Sequence, residues 1–270
     1  MCRKCIFKII KIFLVMEALT LFVVPVIFVA IFGVDGAEMK TTAMSNLSQC
    51  IILGISWCYI HRVGREKTLA NRIDYKAKIC HIVLVLVLFL ANSFFMDGLV
   101  LVKIGETNDF SYANNVFSID VISFLEMIFA YGILPAICEE FFYRKMIYGQ
   151  MFIDCKMNSM IMTSGFLFAF AHHSFDKIVP MFLLGSALMW IYVKTKNIVW
   201  CIVLHSIYNV LVLFFQHILV LPSSSSLISI KYASGLECIA AGMKYISVGM
   251  IIYLILYWIV VSIRGVDYEK

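Results

Sequence analysis

Stretches of about 20 mostly apolar residues recur from one end of this chain to the other, and each is long enough to cross the ~30 Å hydrocarbon core of a bilayer as a helix. They fall near residues 12–34, 44–61, 79–102, 116–138 or beyond, 157–173, 178–193, 198–220 and 244–263. With 62% of the 270 residues hydrophobic, 14% charged and a mean hydropathy of +0.93, the chain carries more apolar surface than a soluble domain of this length can bury. The expected fold is all-α, a polytopic integral membrane protein of about eight transmembrane helices. The second, fifth and sixth runs are short or polar for a span, so seven crossings is the alternative.

Charge placement supports the count of eight. With the N-terminus inside, the outer segments keep Lys40, Lys103, Lys177, Lys231 and Lys244, and the rest of the 22 Lys and Arg fall on inner segments. That asymmetry is the one the positive-inside rule requires, and it places both termini in the cytoplasm. The net charge of +5 is thereby accounted for without a nucleic-acid partner. The basic stretch Arg62–Lys78 reads as a topogenic cytoplasmic loop, and 105–115 and 221–243 read as polar outer loops. The apolar run after Met1-Cys-Arg-Lys-Cys is longer than the apolar core of a cleaved signal peptide and reads as an uncleaved first span. The nine cysteines are scattered through apolar segments and form no disulfide framework, and the lone Cys2-x-x-Cys5 has no partner pair at zinc spacing.

Within this apolar background a few polar side chains stand out, because an ionisable group at membrane depth is costly and by default marks a functional site. Glu139 and Glu140 are adjacent, with Arg144 one turn later. If the fourth helix runs on to about residue 151, Glu139 lies about 18 Å inside its cytoplasmic end at 1.5 Å per residue. Glu140 and Arg144 can pair along one face, while Glu139, turned ~100° away, faces something else. His172 follows Phe168 on the fifth segment; His205 and Asn209, one turn apart, project from nearly one face of the seventh. Taken together, Glu139, His172, His205 and Asn209 reach one slab between the cytoplasmic third and the midplane. A carboxylate desolvated there is a stronger base toward water, and His or Asn N–H groups can stabilise a developing oxyanion. Glu126, 14 residues before Glu140, returns to within about 40° of the same face; Pro135 can kink the helix between them, and Glu126 stays outside the catalytic set.

Glu139-Glu140-x-x-x-Arg144, Phe168-x-x-x-His172 and His205-x-x-x-Asn209, in this order on successive membrane segments, resemble the three motifs of the CAAX protease and bacteriocin-processing (CPBP, or Abi) family, intramembrane glutamic endopeptidases that include the type II CAAX prenyl endopeptidases. His173 would need an aromatic at 169, which is Ala, so His172 is the better match. The resemblance implies one transmembrane domain over 1–270, a motif-bearing core at about 116–220, and a polar cavity facing the cytoplasm. It implies Glu139 as the base, His172 as its water-positioning partner, His205 and Asn209 as the oxyanion site, and Glu140 with Arg144 as a supporting ion pair. The implied substrate is a peptide or protein in or at the lipid bilayer of the cell membrane. No cofactor is expected; the alternative is zinc on Glu139, His172 and His205, and the sequence lacks an H-E-x-x-H motif. Competing readings are a non-catalytic bacteriocin self-immunity or membrane adaptor protein, and a small transporter using these groups as a proton relay, which the absence of a repeat pair weakens.

Overall fold

The protein is described here by a computed structural model that covers residues 2–63, 79–107, 121–152, 154–214 and 235–267. Among these residues every regular element is helical, as lipid demands of a chain whose backbone must satisfy its own hydrogen bonds. The helices are α1 (Cys2–Ala18), α2 (Val24–Met39), α3 (Thr41–Val63), α4 (Ile79–Thr107), α5 (Val121–Met127), α6 (Leu134–Glu140), α7 (Tyr148–Met151), α8 (Met157–Phe170), α9 (Ile178–Thr195), α10 (Ile198–Phe214) and α11 (Gly235–Asp267). Three π-helical segments join some of them end to end: Leu19–Val23 between α1 and α2, Ile128–Ile133 between α5 and α6, and Phe141–Ile147 between α6 and α7. The rod over 121–151 is therefore one helix of changing pitch, and it reaches the end point the sequence suggested.

Among the described residues six helices are long and apolar enough to cross a membrane: Arg3–Val34, Thr41–Arg62, Ile82–Thr107, Val121–Met151, Ile178–Thr195 and Gly235–Leu256. Beside them stand two shorter apolar helices, Met157–Phe170 and Ile198–Leu213. The expected second and sixth spans thus meet the length, and the fifth and seventh fall below it over the described residues. The 14 residues of α8 rise about 21 Å against ~30 Å of hydrocarbon, so α8 is too short to cross it. Its end leaves His172 in the turn after the helix. Large apolar side chains such as Phe22, Ile31 and Leu254 point outward, as a lipid-facing surface requires.

The first helix begins at Cys2, earlier than the apolar run alone indicates, because only one of its faces needs burial. Cys5, Ile9, Phe13 and Met16 form that face, while Arg3, Lys4, Lys8 and Lys11 stay exposed. It runs antiparallel to the rod over 121–151: Cys5 Sγ donates to the Gln150 carbonyl at 3.0 Å and Lys8 Nζ to Gln150 Oε1 at 3.1 Å. That register sets Glu17 at the level of Glu139. Further on, α2 breaks at Gly33 (φ 72°, ψ 174°), a backbone shape open to a residue without Cβ.

The last helix starts at Gly235, inside the stretch 221–243 expected to be loop, because it pairs with α4 through small residues at seven-residue intervals. A Cβ on Gly105 would meet the Gly235 carbonyl at 2.4 Å, one on Gly98 the Gly242 carbonyl at 2.7 Å, and one on Gly249 the Ala91 carbonyl at 2.9 Å. Such contacts let helix backbones approach closely in lipid. Residues 64–78, 108–120 and 215–234, on which the rest of the expected loops falls, lie outside the described residues. The seam is tied to the rest by buried Asn92 on α4, whose Nδ2 donates to the Pro180 carbonyl at 2.9 Å while its Oδ1 accepts from Tyr253. Cys50, Cys58, Cys138, Cys201 and Cys238 are free thiols and Cys155 is disulfide-bonded.

The main core gathers α1, the 142–151 end of the rod, α8, α9 and α10 around Phe168, Tyr148, Leu184, Leu188 and Tyr192. It packs α8 on α9 at glycine contacts: a Cβ on Gly185 would lie 2.6 Å from Phe168 Cβ, and one on Gly165 would lie 2.1 Å from Ser186 Oγ.

Candidate active site

The two neighbouring glutamates lead different lives. Glu140 and Arg144 are both fully buried and form an ion pair, Arg144 Nε to Glu140 Oε2, at 2.8 Å. Arg144 Nη2 donates to the Gly185 carbonyl at 3.3 Å, and the guanidinium lies 5.7 Å from the Phe168 ring centre. Neither side chain is open to solvent or lipid headgroups. The sequence suggested that Glu140 serves Arg144 alone; its other oxygen, Oε1, also receives His205 Nδ1 at 2.8 Å. An ionised carboxylate can only accept, so His205 Nδ1 carries the proton and its Nε2 is aimed elsewhere.

That second nitrogen lies 3.9 Å from Glu139 Oε2. Glu139 keeps 17% of its side-chain surface exposed, and its Oε1 accepts from Gln49 Nε2 of α3 at 3.2 Å. His172 is within electrostatic reach of both Glu139 and His205. Its Nδ1 donates to the Phe168 carbonyl four residues back at 2.8 Å, which turns Nε2 outward as a lone-pair acceptor. Phe168 stacks its ring 4.8 Å from His172 and 5.5 Å from His205. One aromatic residue thus holds the arginine and both imidazoles, a physical reason for Phe at that spacing.

Glu139, His172 and His205, read from three separate segments, are brought together. Asn209 is placed differently: its Nδ2 donates to the Gly132 carbonyl in the π-segment at 3.3 Å. Glu126 does not face the Glu139 cluster. It lines a cavity of about 640 Å³ with Thr42, Asn46 and Tyr131, because the 13 residues between Glu126 and Glu139 span about 20 Å of rod. Among the described residues no three His, Cys, Asp or Glu side chains are grouped to hold a metal ion, so no zinc geometry follows for Glu139, His172 and His205.

Sequence reading missed Gln49, the bond from Glu140 to His205, and Glu17 of α1. Glu17 pairs with His173 at 2.8 Å and stands within electrostatic reach of Glu139. A single acid in the first apolar span was the available signal for Glu17, under the same rule that singled out Glu139.

Residues 121–211, which contain every one of these motif side chains, match the family described as Rce1-like, type II CAAX prenyl endopeptidase Rce1-like. The match covers about a third of the chain and makes this segment similar to that family. The chain is also similar to the membrane-embedded CAAX protease MroQ of Staphylococcus aureus (strain USA300), with 33% identity over 95 residues, 33% of this chain and 38% of that protein. The alignment therefore spans well under half the length of that relative. No solved structure matches the chain. The Rce1-like segment supplies Glu139, Glu140, Arg144, Phe168, His172, His205 and Asn209; Glu17 and Gln49 come from helices outside it.

Proposed function

We propose that this protein is an intramembrane endopeptidase that hydrolyses a peptide bond of a membrane-associated or lipidated peptide or protein, with Glu139 activating water. The observation that carries this reading is the 3.9 Å separation of Glu139 Oε2 from His205 Nε2, with both side chains held from behind, by Gln49 and Glu140 respectively. That separation is too long for a direct hydrogen bond and short enough for one water to bridge.

In this mechanism Glu139 takes a proton from water as the water oxygen bonds to the scissile carbonyl carbon. His172, its Nδ1–H committed to the Phe168 carbonyl, accepts a hydrogen bond from that water at Nε2 and orients it. Negative charge moves to the carbonyl oxygen. His205, with Nδ1 on Glu140, presents Nε2 toward it and donates when that nitrogen also carries a proton. Asn209 has two amide hydrogens; the Gly132 carbonyl takes one and orients the group, leaving the other for the oxyanion. The carbon–nitrogen bond then breaks as Glu139 returns its proton to the leaving amine. Every step uses side chains of this chain, and the route proposed is metal-free.

The proposed orientation puts both termini on the cytoplasmic side of the cell membrane and the site open toward that side, a reading that the distribution of Lys and Arg along the sequence supports. Cleavage of prenylated and unprenylated C-terminal peptides by detergent-purified protein tests the reading. Glu139→Gln is expected to lower the rate by about 10²–10⁴-fold, the usual loss for a removed general base, without changing thermal unfolding. A chelator is expected to leave cleavage intact. Undiminished cleavage by Glu139→Gln removes that residue as the base, and loss with chelator that zinc reverses replaces the metal-free route.

A further inference from the structure

We infer that Glu17 of the first span is a positioning residue for His172 and acts through His173. The inference rests on the peptidase reading above and adds a residue from outside the Rce1-like segment. His173 is one of two non-glycine residues with positive φ among the described residues (φ 47°; the other is Lys196). The left-handed region crowds Cβ against the backbone, so a histidine stays there only when its surroundings hold it.

The surroundings are explicit. Helix α8 ends in tightened turns, with the N–H of His172 on the Ala169 carbonyl at 3.2 Å and that of His173 on the Phe170 carbonyl at 3.1 Å. The side chain of His172 turns back to the Phe168 carbonyl. The side chain of His173 reaches Glu17 across the gap to α1, Nε2 to Oε2 at 2.8 Å. His173 is 46% exposed and Glu17 20% exposed, so the pair contributes little to overall stability. Its effect is local. Pinning the ring of His173 pins the backbone between the two histidines, and that backbone sets where His172 Nε2 points relative to Glu139. The N-terminal helix is thereby made part of the site.

The test separates backbone shape from side-chain pairing. His173→Gln keeps the pairing, since its amide nitrogen reaches about as far from the backbone as the imidazole Nε2 and can donate to Glu17. His173→Gly keeps the backbone shape and removes the donor; Glu17→Ala removes the acceptor. His173→Gly and Glu17→Ala are expected to lower kcat by on the order of 10²-fold, the scale of a 1 Å misplacement, with KM unchanged. His173→Gln is expected to stay near wild type. A second readout needs no turnover: modification of His172 by diethyl pyrocarbonate, followed by mass spectrometry, should change rate in His173→Gly and Glu17→Ala and not in His173→Gln. Wild-type kcat and wild-type labelling in His173→Gly and Glu17→Ala overturn the inference. So does a His173→Gln variant as impaired as His173→Gly. If wild type cleaves no peptide tried, the peptidase reading fails on its own and the labelling pattern still decides the role of Glu17. If Glu17→Ala does not fold, His173→Gly against His173→Gln carries the whole comparison.

Discussion

Glu139 and Glu140 differ by one position in the chain and by everything in their surroundings. Glu140 sits in a dry pocket with an arginine on one oxygen and an imidazole on the other, whereas Glu139 is partly open, anchored by a single amide on Gln49. Two residues of identical chemistry thus take a closed place and an open one. The dry carboxylate cannot reach a substrate; its charge is used to orient His205. The open one has an oxygen facing that same histidine. Burial, rather than residue type, separates the support from the candidate base.

The sharpest way to break this comparison is to exchange the treatment of the two acids. Glu139→Gln should cost about 10²–10⁴-fold in cleavage rate and leave the melting curve in place. Arg144→Leu should do the reverse in kind: an uncompensated carboxylate left in the core costs about 3–5 kcal/mol, read as a large drop in Tm in detergent. The paired replacement Glu140→Leu with Arg144→Met sharpens the contrast, because apolar residues of similar size often restore stability where a buried ion pair stood. Its Tm should recover while cleavage stays low, since His205 loses its acceptor. Recovery of both would reduce the Glu140–His205 bond to packing. A smaller effect is expected at Gly185, where Gly185→Ala would press on Phe168 at 2.6 Å and cost about 1–3 kcal/mol as overpacking. An effect of similar size belongs to Gln49→Leu, which removes one hydrogen bond to a charged group, about 1.5–3 kcal/mol at most, and should lower kcat by no more than 10²-fold without unfolding the protein.

Much of this was legible in the sequence, for a physical reason. Hydrocarbon penalises charge so heavily that Glu139, Glu140 and Arg144 announce themselves in an apolar stretch, and the 3.6-residue period then decides which two can pair. The same logic identified His172 and His205. It gave no sign that Glu140 serves His205, because that contact joins residues 65 apart and depends on how α10 crosses the rod. Glu17 and Gln49 were harder still: each is a single polar group without a motif partner nearby in sequence. The α4–α11 seam shows the same limit. Ala91, Gly98 and Gly105 keep one seven-residue spacing and Gly235, Gly242 and Gly249 another, but only contact reveals that the two sets match in opposite directions. The early start of α11 followed from that match, and no local propensity signals it.

The wider turn over Phe141–Ile147 lies immediately after the acidic pair and contains Arg144. Its pitch determines the azimuth at which everything downstream leaves the rod. Removing one residue from it would swing Tyr148 and Gln150 by about 100° relative to Glu139, at the α-helical advance per residue. The clasp between Gln150 and the amino-terminal helix would then come undone at the opposite end from Glu139. Spacing along this single rod therefore acts as a ruler, and shortening it by one step is expected to uncouple the first helix from the rod without altering Glu139 or His205.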